Sequence, residues 1–319
     1  MRLATYVEGG PPRLAAVLGE DALLDLHGAA HALAQRSDDP RDAALPALVP
    51  DSCRAFLDNG PLAWEMAARV VAWAETQPGG LTGVHGEALV HALGDVRLCA
   101  PVPDPEKVIG IGLNYLSHAE EQNARLPKVP LIFAKWNNTL VGPRDPIVHP
   151  EVSEQLDYEA ELAVVLGRTA HRVSEADALS YVAGYTILND VTARDVQLSD
   201  RQWVRGKTMD TLAPCGPFLT TPDEVGDVAD LRVELWVNDR QLQDGNTKSM
   251  IFSVAHLVSF LSHSFTLRPG DIIATGTPAG VGFKQDPPLF LRPGDVVRVA
   301  VDSLGELVNP VVSASAGGR

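Results

Sequence analysis

From residue 105 onward the chain is written in short apolar, β-branched runs set between glycine and proline: Val108–Ile111, Leu131–Ala134, Leu162–Leu166, Tyr185–Leu188, Leu231–Val237, Asp271–Ala274 and Val296–Val301. Runs of this length cannot make long helices, so they must satisfy their backbone by pairing as strands, which predicts a β-rich domain. Two helices are expected to interrupt it. One opens at the capping-box-like Ser174-Glu-Ala-Asp177, and the other covers Ile251 to Ser262, where apolar residues recur at helical spacing.

The first hundred residues have a different texture. Leu3–Val7 and Leu14–Leu18 read as strands joined through Gly9-Gly10-Pro11-Pro12, and Ala29–Gln35 and Leu62–Thr76 read as helices. The three prolines of Ala100-Pro-Val-Pro-Asp-Pro105 stiffen the chain in an extended form. A boundary there divides the chain into a small amino-terminal α+β domain, 1–99, and a larger domain, 100–319, for an α+β, β-rich whole. The small polar residues from Ser313 to Arg319 are expected to fray.

Composition removes some classes of function. Lys and Arg number 26 against 41 Asp and Glu, and a formal charge of −15 repels a phosphate backbone, so no nucleic-acid partner is expected. No run approaches the roughly 18 apolar residues of a membrane span, and the opening MRLATYVEGG lacks the apolar stretch of a signal peptide. The expectation is a cytoplasmic protein with no membrane partner. Cys53, Cys99 and Cys215 form no CxxC pair and read as reduced structural thiols.

Within Asp157-Tyr-Glu-Ala-Glu-Leu-Ala-Val-Val-Leu-Gly167, the strand period of two sends Glu159, Glu161, Ala163 and Val165 to one face. Like charges entering a core repel and lose hydration, an arrangement that makes sense if a cation neutralises them. Carboxylates without His or Cys suit Mg²⁺, Mn²⁺ or Ca²⁺ over Zn²⁺. Asp190, at the end of the run Tyr185-Thr-Ile-Leu-Asn-Asp190, is the candidate third ligand. An equally simple reading of the spacing has Glu159 and Glu161 on the wet face of an edge strand and Asp190 capping a helix.

Longer motifs carry more information: Gly112-Leu-Asn-Tyr-Leu-Ser-His118, Phe133-Ala-Lys135, Asp157-Tyr-Glu-Ala-Glu161, Asn189-Asp-Val-Thr-Ala-Arg-Asp195, Gly206-Lys-Thr-Met-Asp210 and Pro269-Gly-Asp-Ile-Ile-Ala-Thr-Gly-Thr-Pro-Ala-Gly-Val-Gly282. In these, and in their order, the chain resembles the fumarylacetoacetate hydrolase family across Val108 to Val312. Its texture is similar to the branch with a short amino-terminal domain, the domain-containing type 2 proteins, through Asn114 to Asn123.

The resemblance implies a mixed β-sandwich roll, usually a homodimer, with Glu159, Glu161 and Asp190 holding Mg²⁺ or Mn²⁺ and with Ca²⁺ able to take the same place in crystals. It further implies a lid in which His118 and Glu121, three residues apart and so on one helical face, activate water. Lys207 matches the family's active-site lysine, Arg194 and Gln197 match substrate contacts, and Thr277, beside Gly276, matches the binder of the substrate carboxylate. The loop Thr275–Gly282 lacks the Lys-Ser/Thr of a phosphate loop, and Gly110-Ile-Gly112 is too short for a dinucleotide fingerprint. One departure is Thr247-Lys-Ser-Met-Ile-Phe252, where many members carry an acid before Met-Ile-Phe.

The expected substrate is a small 2-oxo acid or 1,3-dicarbonyl compound, whose breaking bond sends its electrons into an enolate stabilised by the cation and Lys207. Hydrolysis of a carbon–carbon bond in an acylpyruvate-like or 2,4-diketo acid is the first reading. Oxaloacetate tautomerisation or decarboxylation, or isomerisation of a 2-hydroxy-dienoate, uses the same parts, and a non-catalytic metal and carboxylate binder stands as the remaining rival. Substrate size is expected to depend on Arg125, Trp136 and Trp203.

Overall fold

The computed structural model of the protein describes residues 1–77 and 80–315. Its main element is a mixed sheet whose strands run, in spatial order, Val90–Ala92, Ala22–Asp25, Arg13–Leu18, Arg2–Val7, Ala213–Thr220, Val182–Asn189, Ala160–Leu166, Ile272–Ala274, Val108–Gly112 and Leu131–Lys135. A second sheet, of Arg240–Asn246, Arg232–Val237, Val296–Val301, Gly305–Ser313 and Ile147–His149, packs across it.

The run Ala160–Leu166 is buried at every position because the large sheet is covered on both faces. Leu162, Val164 and Leu166 meet Val233, Leu235, Val297 and Leu307 of the smaller sheet. Ala163 and Val165, of the other parity, meet a core that includes Leu26, Leu33, Phe56 and Val70 of the amino-terminal helices. Two of those helices, Leu26–Arg36 and Pro61–Glu75, sit where helical spacing places them, Phe56 lies on a third, Cys53–Asp58, and the amino-terminal strands extend the large sheet through Arg2–Val7 pairing with Ala213–Thr220. No helix among the described residues is long and apolar enough to cross a membrane.

Three expectations need correction. Ser174 does bond Asp177, but only a 3₁₀ turn follows, Ala178–Tyr181, because the strand Val182–Asn189 begins at once and leaves no length for a helix. The later helix begins at Val254, not Ile251, since Ser253 caps it through His256 N–H and Ile251 N–H is taken by the carbonyl of Asn114. Ala213–Thr220, not among the strands read in the sequence, is an interior strand despite two prolines, and the register irregularity against Val182–Asn189 falls across Pro217. Ser313 ends a strand, whereas 316–319 lie outside the described residues. Among the cysteines, Cys53 and Cys215 are buried and free, with thiols pushed up to about 12 by burial, as structural thiols should be.

Candidate active site

Sheet register builds the acidic cluster. Ala160 pairs with Asn189, so the residues just beyond, Glu159 and Asp190, emerge side by side at the end of two neighbouring strands. Asp190 N–H donates to the Glu159 carbonyl at 2.8 Å, and Glu159 N–H donates to Asn189 Oδ1 at 3.1 Å. Carboxylate oxygens of Glu159, Glu161 and Asp190 lie within 4.8 Å of one another, all three side chains buried. Ala160–Leu166 is flanked on both sides by strands, which removes the solvated edge-strand reading.

Three buried cations meet these acids. Lys207 Nζ lies 2.6 Å from both Glu159 and Asp190, and Lys135 Nζ holds the other Asp190 oxygen at 2.7 Å. Arg194 spans Glu159 at 2.5 Å and Asp157 at 2.8 Å while donating to Gln197 Oε1 at 3.1 Å. Four carboxylates therefore face three cations, and the ionised cluster is one negative charge in excess.

Burial opposes charge on Glu159, but Arg194 and Lys207 outweigh it and hold that carboxyl well below its usual range. Glu161 goes the other way: burial first, then the charges of Asp190 and Glu159, push it well up. Burial likewise works against the ammonium of Lys207, which Asp190 and Glu159 nonetheless hold up, whereas Lys135 is depressed by burial despite Asp190. The unrelieved carboxylate is thus Glu161, which accepts a hydrogen bond from Gly276 N–H at 2.7 Å but touches no cation. An oxygen-only donor set with surplus negative charge fits a hard divalent cation, which would leave the cluster one positive charge in excess, suited to a substrate anion.

Gly276 has φ +98°, and a Cβ there would stand 2.8 Å from Asn114 Cβ. Only glycine turns the chain so that its N–H reaches Glu161 while the loop passes this close. Beside it Thr277 Oγ1 accepts from Gln243 at 2.8 Å, leaving its O–H free to donate into the cavity. The glycines of Gly110-Ile-Gly112 serve packing: their open faces are filled by Phe133 and Trp203.

A cavity of about 110 Å³ lies over the cluster, lined among others by His118, Gln122, Arg194, Gln197, Lys207 and Thr277. Its roof is the helix Leu116–Glu121. Glu121 Oε1 accepts from Gly280 N–H at 2.9 Å and its other oxygen faces His118 Nδ1 at 3.2 Å, so the dyad is tied to the same loop that carries Thr277. Asn114 anchors the base of the roof, accepting from Phe252 N–H at 2.8 Å and donating to the Thr275 carbonyl at 2.7 Å. Met250, beside Phe252, bridges Tyr115, which places the unusual Thr247–Phe252 segment under the lid.

All ten residues singled out from sequence converge here: His118, Glu121, Glu159, Glu161, Asp190, Arg194, Gln197, Lys207, Gly276 and Thr277. Trp203 lines the cavity as well, but Arg125 and Trp136 do not. Four participants escaped sequence reasoning: Lys135, Asp157, Gln122 and Gln243. For Lys135 a signal existed, since strand parity puts it on one face with the apolar Leu131 and Phe133; it is the one fully buried residue of that strand. Asp157 accepts from Tyr158, Gly282 and Phe283 N–H as well as Arg194, a convergence invisible in spacing.

A family model for the fumarylacetoacetate (FAA) hydrolase C-terminal region matches residues 107–312, more than half of the chain. The chain belongs to the fumarylacetoacetate hydrolase family. It is an enzyme of that family with a mixed α+β, strand-rich fold. It is 39% identical over 271 residues to human "Oxaloacetate tautomerase FAHD2A, mitochondrial", covering 84% of this chain and 82% of the relative. It is 47% identical over 220 residues to the Xenopus laevis protein "Oxaloacetate tautomerase fahd2, mitochondrial", covering 68% and 69%. Among solved structures, maleylpyruvate hydrolase from Sphingobium superposes with a TM-score of 0.74 at 33% identity, over 98% of this chain and all of that one.

Proposed function

We propose that this fumarylacetoacetate hydrolase family enzyme interconverts the keto and enol forms of a small 2-oxo dicarboxylate of the oxaloacetate class. Glu159, Glu161 and Asp190 hold its divalent cation, Mg²⁺ or Mn²⁺. The observation that carries the reading is the cavity over the acidic cluster, into which Arg194, Gln197, Lys207 and Thr277 all face. Similarity to relatives named oxaloacetate tautomerases supports the same substrate.

Arg194 and Gln197 bind the distal carboxylate, and Thr277 Oγ1 donates to the proximal one. Held by Glu159, Glu161 and Asp190, a divalent cation would supply Lewis-acid polarisation of the 2-oxo group. Lys207, which lines the cavity, is the proton carrier. Its Nζ takes a proton from C3 and returns one to the C2 oxygen, so a single nitrogen serves both ends of the transfer.

A second reading, hydrolysis of a carbon–carbon bond in an acylpyruvate or 2,4-diketo acid, is favoured by the His118–Glu121 dyad over the cavity and by similarity to a maleylpyruvate hydrolase. We also propose that the protein is a homodimer. Leu126, Val129, Leu131, Ile132 and Trp136 are exposed along the edge strand Leu131–Lys135 and the loop before it, an apolar strip that pairing would cover.

The test is a panel of oxaloacetate, acylpyruvates and 2,4-diketo acids with Mg²⁺ and with chelator, followed by enol absorbance and carbon dioxide release. Metal-dependent loss of enol absorbance without carbon dioxide release is expected for oxaloacetate. No acceleration over the chelated control overturns the reading, and efficient cleavage of acylpyruvates in its place establishes the second.

A further inference from the structure

The imidazole of His118 is held from both sides by its own helical turn. Glu121, three residues on, faces Nδ1 at 3.2 Å, and Gln122, four residues on, places its Nε2 2.6 Å from His118 Nε2. Glu121 is fixed in turn by Gly280 N–H, so the ring cannot exchange its two nitrogens without breaking the lid contact. With Nδ1–H donating to the carboxylate, Nε2 carries the lone pair, and the Gln122 amide N–H donates to it.

We propose that Gln122 determines reaction specificity: its side-chain amide occupies the one imidazole nitrogen that could activate water, holding the site to proton transfer and away from hydrolytic cleavage. The inference rests on the tautomerase reading above. Cleavage of an acylpyruvate requires a water on that lone pair. Its proton passes to His118 Nε2 and its oxygen adds to the distal carbonyl carbon. The carbon–carbon bond then breaks with the electron pair moving onto the enolate oxygen, and a proton returned to the methylene carbon leaves pyruvate and a carboxylic acid. Tautomerisation consumes no water and needs no free Nε2. Gln122 lines the same cavity, and its amide stands where a water on that lone pair would sit.

Two variants test this, Gln122→Ala and Gln122→Ser, both of which open that space, in the full Mg²⁺-loaded protein. The first readout is the ratio of acetopyruvate cleavage to oxaloacetate tautomerisation. General-base assistance is worth roughly 10²- to 10⁴-fold, so freeing Nε2 is expected to raise the ratio at least about tenfold. The second readout is the ¹⁵N resonance of His118 Nε2, assigned by its loss in His118→Asn. A hydrogen-bonded acceptor nitrogen is expected in the wild type, with a shift in both variants. A ratio within twofold of wild type, or an Nε2 resonance that does not move, overturns the inference. Should the wild type fail to tautomerise oxaloacetate, the functional reading falls. The role of Gln122 is then decided by the Nε2 resonance and by whether acetopyruvate cleavage rises in the variants.

Discussion

Replacing Lys207 with Met separates the two tasks assigned to this side chain. Its ammonium bonds Glu159 and Asp190 at 2.6 Å each and is buried. Methionine keeps much of the volume and removes the charge, so the metal-free cluster goes from one surplus negative charge to two. Removing one partner of a buried ion pair costs about 3–5 kcal/mol. Unfolding entropy of about 2.1 cal/mol/K per residue gives roughly 0.7 kcal/mol/K for 319 residues, so the chelated variant should melt about 4–7 °C below wild type.

The same reasoning predicts the opposite response to metal. In wild type a cation competes with Lys207 for two carboxylates, and in the variant it does not. Mg²⁺ at a hundred times the dissociation constant adds about 2.7 kcal/mol. At one fixed Mg²⁺ concentration the gain in Tm should be larger for Lys207→Met than for wild type, while oxaloacetate tautomerisation falls by about a hundredfold or more. Differential scanning fluorimetry with EDTA and across a Mg²⁺ series measures both quantities. A chelated variant melting within about 1 °C of wild type, or a metal-induced gain no larger than that of wild type, would refute the argument.

Chelation should abolish turnover and Mg²⁺ or Mn²⁺ restore it, and chelator-resistant activity removes the metal from the mechanism. Arg194→Lys loses the fork that spans Asp157 and Glu159; with a charged hydrogen bond worth about 1.5–3 kcal/mol, KM for a dicarboxylate should rise roughly ten- to a hundredfold. Gly276→Ala forces a Cβ to 2.8 Å from Asn114 at φ +98°. At about 1–3 kcal/mol of strain it should lower Tm and also weaken metal affinity by calorimetry, because Glu161 loses its N–H donor; a variant matching wild type in both contradicts the role given to that turn. His118→Ala should cut any acylpyruvate cleavage at least about a hundredfold while the metal-induced rise in Tm persists, and full cleavage would exclude the dyad.

What the sequence determined by itself was parity and order. The alternation in Tyr158–Leu166 sends Leu162, Val164 and Leu166 to one core and Ala163 and Val165 to the other, as a period of two requires. The spacing of His118 and Glu121 puts them on one helical face for an equally local reason, and the ordered motifs were enough to name the family. Spacing could not decide whether Glu159 and Glu161 were wet or buried. That depends on which strands flank Ala160–Leu166, and on helices from the first hundred residues covering the sheet, contacts made between segments far apart in the chain. Tertiary structure also supplied the partners. Lys135 on Asp190, Asp157 on Arg194 and the closure of Glu121 onto Gly280 join residues 37 to 159 positions apart, and no local period records such meetings. Gln122 is the exception in distance but not in kind: it neighbours Glu121, yet its bearing on His118 Nε2 follows from a side-chain direction set only once the helix roofs the cavity. The candidate ligands could thus be named from the sequence, whereas their burial, charge balance and closure belong to the fold.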